Sequence, residues 1–151
     1  MIAKKSISKF KNKLDNLKIR KKELVEELEN NFSFFSETND NSSSVIKEDL
    51  NKIELEIKNI FNILNNNEII DTSTISTDII NFGSVVTIMD LETEKIFTYQ
   101  LLSSDEIDID NGIISINSPM GKNLLNKKIE DEIIVNDNDF EIIKISKDLN
   151  Y

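Results

Sequence analysis

Residues 46–64 read IKEDLNKIELEIKNIFNIL, and their spacing decides the first half of the fold. Ile46, Leu50, Ile53, Ile57, Ile60 and Leu64 recur at intervals of 4, 3, 4, 3 and 4. An apolar seam with a mean period of 3.5 residues lets two helices pack knobs into holes. The chain upstream repeats the pattern with Ile7, Phe10, Leu14, Leu17, Leu24 and Leu28, and Lys21 stands in the one vacant slot. Neither run contains Gly or Pro. Residues 30–44 between them, NNFSFFSETNDNSSS, are rich in residues that favour turns and caps. Two helices joined by a short connection pack as an antiparallel hairpin. Arms of about 25 residues are about 40 Å long at a rise of roughly 1.5 Å per residue.

Beyond Asn65-Asn66-Asn67 the period changes. Ser84–Met89, Lys95–Leu102, Gly112–Ile116, Glu132–Val135 and Phe140–Ser146 are rich in Ile, Val, Phe and Tyr and are bounded by turn residues, as strands are. One short helix is expected among them, with Ser118 as N-cap, Pro119 at its first position and Leu124 and Leu125 facing the sheet. The reading is α+β: an antiparallel coiled-coil hairpin over 1–71 with its tip at about 32–44, a linker over 72–82, and an antiparallel sheet with one short helix over 83–151.

Composition narrows the chemistry. The 151 residues include no Cys and no His, which removes disulfides, thiolate nucleophiles, imidazole bases and most zinc sites. One Pro and three Gly leave no glycine-rich phosphate loop. The 26 Ile and 20 Asn are a compositional bias, so clusters of Asn carry little functional weight. No apolar run approaches the roughly 20 residues that span a bilayer. The first residues have charge but no apolar core of a signal peptide, so a cytoplasmic location and no membrane partner are expected.

Charge is unevenly placed. The formal total is −10, yet nine of the first 22 residues are Lys or Arg against Asp15 alone. The strip of Lys4, Lys5, Lys9, Lys11, Lys13, Lys18, Arg20, Lys21 and Lys22 is read either as a phosphate-contacting edge or as a solvated helix face paired with acids such as Glu54 and Glu56 on the second arm. An acidic isoelectric point near 4.5 opposes nonspecific duplex binding by the whole molecule.

Residues 83–135, GSVVTIMDLETEKIFTYQLLSSDEIDIDNGIISINSPMGKNLLNKKIEDEIIV, carry a series of motifs in order. These are Gly83 with Val86, Tyr99–Leu102, Asp105-Glu106-Ile107-Asp108, Ile114-Ser115-Ile116-Asn117-Ser118-Pro119, Leu125 to Lys128, and Asp131-Glu132. In this order, behind a helical hairpin, they resemble the bacterial Gre transcription elongation factors. Leu14–Lys18 with Arg20–Glu23, and Glu68–Asp71, resemble parts of that family's two arms, so the resemblance covers nearly the whole chain.

The resemblance implies an FKBP-like C-terminal domain that docks on RNA polymerase, with Asp105, Glu106, Ser118, Pro119 and Met120 near the docking surface. It implies a hairpin that enters the polymerase secondary channel and stimulates cleavage of backtracked RNA near the RNA 3′ end. The protein would act as a monomer, with no enzymatic activity and no cofactor of its own. The chemistry would be the polymerase's, and the tip would supply carboxylates that help hold its Mg²⁺ and orient water.

At the tip the family has an Asp-x-x-Glu-Asn-Ala-Glu-Tyr type of stretch. Counting back without gaps from Glu68–Asp71 places Ser36 and Asn39 at the acidic positions and Ser43 at the aromatic one. A slip of one residue places Glu37 and Asp40 there instead, an acid pair three apart that suits one cation. Glu37 and Asp40 are thus the expected catalytic and metal-supporting residues in the complex; the bland alternative is a pair of solvated turn acids. With Ser36 and Asn39 in place, a hydroxyl and an amide can ligate Mg²⁺ without neutralising it, and the protein would modulate or inhibit polymerase without cleavage. Phe32, Phe34 and Phe35 read as an apolar plug at the hairpin end or as an exposed contact. A third reading is an adaptor or dimerisation coil unrelated to polymerase.

Overall fold

The computed structural model describes residues 1–34 and 41–147, and for 31–34, 41 and 42 the backbone only. It divides into two units: Ile7–Asn67, and Met1–Ser6 together with residues from Glu68 onward.

The first unit is the expected hairpin, α1 (Ser6–Phe34) and α2 (Asn41–Asn66). Its inward positions are those of the seam. Leu14, Leu24, Ile46 and Ile60 are buried, and Ile7, Phe10, Leu17, Leu28, Leu50, Ile53, Ile57 and Leu64 are half-buried. Lys21 occupies its vacant slot half-buried and reaches out to Glu54, with Nζ 2.7 Å from Oε1. This is how a lysine stem lies along apolar surface while its charge stays wet. Lys13 pairs with Glu56 at 3.3 Å, and the Lys18 ammonium sits 5.7 Å from the centre of the Phe61 ring. Three of the nine basic residues of the strip, Lys13, Lys18 and Lys21, are therefore turned to the second arm. Each exposed pair is worth about 1 kcal/mol or less. Lys21→Leu is expected to continue the seam and slow amide exchange in the middle of both helices about fivefold, because a buried leucine outweighs one exposed ion pair. Unchanged or faster exchange would place residue 21 outside the seam.

The second unit is built on five strands: β3 (Val85–Asp90), β4 (Ile96–Leu102), β5 (Ile113–Ser115), β6 (Glu132–Val135) and β7 (Asn138–Ser146). Their order is β5-β4-β3-β7-β6. The α+β class holds, but the sheet is mixed: β4 and β5 run parallel, with Leu101 opposite Ile114. The antiparallel expectation fails here because residues 103–112 cross over in two single helical turns, Ser104–Glu106 and Ile109–Asn111, instead of turning back as a hairpin. Val86 opposes Tyr99 and Ile88 opposes Phe97, so these four share one face. That face, with Ile133, Phe140, Ile142 and Ile145, forms the core closed by Leu124 from α3 (Pro119–Leu124). Asn136 and Asp137, both at positive φ, make the two-residue turn between β6 and β7.

Two stretches outside the five strands belong to this unit. β1 (Ile2–Ala3) pairs parallel with β2 (Ile69–Ile70), and both residues of β1 are fully buried. Residues 72–82, expected as a linker, instead add Ile80 to the main core and Phe82 to a second cluster with Ala3 and Leu102. Ile80 exchanges backbone hydrogen bonds with Asn126 and Lys127. Their apolar side chains and satisfied backbone explain why they pack inside. Asp71 caps the turn at Thr72–Thr74; the Ser73 hydroxyl first, then the Lys4 ammonium, holds its carboxyl down at about 2. Among the described residues no helix is long and apolar enough to cross a membrane.

Candidate docking groove

The corner Ser118-Pro119-Met120 is held by short-range hydrogen bonds. Ser118 Oγ accepts from Gly121 N at 3.0 Å and donates to Ser115 O at 2.6 Å, which caps α3 and ties it to β5. Pro119 sits in the first turn, where its missing N–H costs nothing. Gly121 is buried against β5, and Leu124 is fully buried in the core; Leu125, expected to face the sheet, ends the helix half-buried.

This corner forms one wall of an open apolar groove of about 310 Å³. Ile114, Ser115, Val135 and Asn136 line it too, as do Ile107 and Ile109 from the crossover. Ile107 is 47% exposed and Ile109 76% exposed. Large apolar side chains so displayed around a concavity make it a candidate interaction surface. In sequence, Asp105, Asp108 and Asp110 alternate with or precede these isoleucines.

Of the residues expected at a docking surface, Ser118, Pro119 and Met120 line the groove together. Asp105 is exposed beside it in the crossover. Glu106 is different: it is 7% exposed, and its carboxylate points inward, accepting from Ala3 N at 2.9 Å, Ser103 N at 3.2 Å and Ser103 Oγ at 2.7 Å. Any part Glu106 has in docking is through the shape of the turn, not through its charge. Among the described residues no group of three His, Cys, Asp or Glu side chains converges to hold a metal ion. Ser36, Glu37, Asn39 and Asp40 lie outside the described residues, as do Phe35 and the side chains of Phe32 and Phe34. Ser43 is half-buried on α2. Sequence reasoning missed Ile107 and Ile109. The signal was present in the alternation Glu106-Ile107-Asp108-Ile109-Asp110, where apolar residues stand between acids with no strand to bury them.

Known proteins resemble this one along its length. The family model of the C-terminal domain of the GreA/GreB transcription elongation factors matches residues 75–147. Transcription elongation factor GreA of Acetivibrio thermocellus is 32% identical over 146 residues, 93% of this chain and 92% of that relative. GreA of Rhodospirillum rubrum is 40% identical over 83 residues, which span 55% of this chain and 53% of that relative, about half of its length. Among solved structures, GreA factor homolog 1 of Thermus thermophilus aligns over 96% of this chain and 97% of its own, at 25% identity and a TM-score of 0.44. With a relative at 32% identity covered almost end to end, the chain belongs to the GreA/GreB family of transcription elongation factors.

Proposed function

We propose that this protein docks on bacterial RNA polymerase through the groove at Ser118-Pro119-Met120, and that its hairpin enters the secondary channel and stimulates cleavage of backtracked RNA near the 3′ end. The observation that supports the docking half is the open apolar groove, whose lining includes the exposed Ile107 and Ile109 together with Ser118, Pro119 and Met120, three of the five residues the resemblance points to. An arm of 29 helical residues is about 43 Å long at roughly 1.5 Å per residue, enough to reach a buried centre. The cleavage half rests on Glu37 and Asp40. Two carboxylates are the donor set of a hard divalent cation, and here they would serve the polymerase's own Mg²⁺, which supplies the Lewis acid and the activated water. The chain itself binds, orients and delivers charge; it has no reaction of its own. Action as a monomer in the cytoplasm, without a membrane partner, belongs to the same proposal.

The residues Ser36, Asn39 and Ser43 favour a second reading, in which docking is kept and cleavage is lost. A stalled elongation complex with Mg²⁺ separates the two. Shortening of the labelled RNA on adding the protein is the expected result. Slower nucleotide addition with RNA of unchanged length would select the second reading. No effect at saturating protein, together with no binding to core polymerase, would overturn both.

A further inference from the structure

Glu106 is a buried carboxylate that neither half of the proposed function uses, and its bonds span the sheet unit. One oxygen accepts from the backbone of Ala3, 103 positions away, and the other accepts twice from Ser103. Ile2 and Ala3 are fully buried, so the partner strand is fixed in the body of the unit. The residue after Glu106 is Ile107, and Ile109 follows two later, so the chain leaves this anchor directly into the exposed wall of the groove. On the same helical turn Ser104 Oγ lies 3.1 Å from Ser115 Oγ, which ties the crossover to the end of β5. Buried donors left without an acceptor are costly.

We infer that Glu106 is a positioning residue through which β1 holds the Ile107–Ile109 wall in place, so that the affinity of the groove depends on a strand that does not line it. The effect on affinity rests on the docking reading above; the structural coupling does not. In the full chain, Glu106→Ala removes all three bonds. It is expected to speed amide exchange about tenfold at Ala3, at Ser103 and across residues 107–113. It should also raise about tenfold the concentration giving half-maximal effect on core polymerase, while the effect at saturation stays. Glu106→Gln keeps an acceptor for Ala3 N but turns an amide N–H2 toward Ser103 N, so exchange at Ala3 should stay near wild type while exchange at Ser103 and across residues 107–113 rises less than in Glu106→Ala. Ile109→Ser should weaken docking without altering exchange at Ala3. If Glu106→Ala does not fold, Ser103→Ala loosens the same carboxylate and should give the same pattern at about threefold.

Faster exchange at Ala3 with unchanged exchange across 107–113 would overturn the coupling. So would a Glu106→Ala protein whose effect at saturation falls while its half-maximal concentration does not move. A wild-type protein that neither binds nor affects polymerase would sink the docking reading, and the exchange measurements would then decide the coupling by themselves.

Discussion

Gly121→Ala is expected to destabilise the full chain by about 3 kcal/mol or more, read as a fall in the denaturation midpoint. A Cβ at residue 121 would lie 2.1 Å from Ser115 O and 2.9 Å from Ile116 Cα. Both are backbone atoms of the neighbouring strand and its extension, so no side chain can swing aside. α3 would have to lift away from β5, withdrawing Leu124 from the core and moving Ser118-Pro119-Met120 relative to the rest of the groove. Helix propensity alone points the other way, favouring alanine over glycine by about 1 kcal/mol. The sign of the result therefore discriminates: a gain in stability would mean that α3 is not seated closely on β5. Gly112, at φ +67 and with Thr98 O only 2.8 Å from where a Cβ would lie, is a second site where alanine should cost stability, for conformational as well as steric reasons.

The largest functional effect is expected from Glu37→Gln combined with Asp40→Asn. The amides keep the size of the carboxylates and can still ligate a cation, but they no longer offset its charge where charge develops in a phosphodiester transition state. Loss of such electrostatic support costs about a hundredfold or more. RNA shortening in a stalled complex should fall by that factor at saturating protein, while binding to core polymerase stays. Ser36→Ala with Asn39→Ala should leave shortening within about threefold of wild type if the acid pair is the working one. Equal shortening by wild type and the Glu37→Gln, Asp40→Asn variant would remove the acid pair from the mechanism.

Local signals carried most of the fold. The seam positions of α1 and α2 are the inward ones because a 3.5-residue period leaves them no other face to bury. Glu132–Val135 was legible to the residue, as were the cap Ser118 and Pro119, because each depends on neighbours in sequence. What stayed hidden depends on residues far apart. A two-residue strand such as β1 has no period to detect, and its pairing with Ile69–Ile70 leaves no local trace. The parallel register of β5 is set by the path of the crossover, which the strand's own residues do not encode. Ile80 and Phe82 lay among Ser, Thr and Asp residues that read as linker, and only the tertiary contacts show them buried. At the groove, the helix start at Ser118 and Pro119 was legible, but the inward turn of Glu106 was not, because an acid in an Asp-Glu-x-Asp turn looks solvated until its distant donor, Ala3 N, is placed.

The pairing of β1 with β2 makes the sheet unit discontinuous in sequence, with the hairpin inserted between its pieces. A chimera that exchanges tips or whole arms with a relative therefore needs two junctions, at 6/7 and 67/68, and must keep residues 1–6 with their own sheet. A single cut near residue 72 would combine the first strand of one parent with the acidic turn of the other. Order of synthesis is affected too: residues 1–6 are made early but gain their strand partner only after residue 70 and their carboxylate anchor only after residue 106. Contacts of such long sequence separation form slowly, so β1 should be among the later elements to lock during refolding.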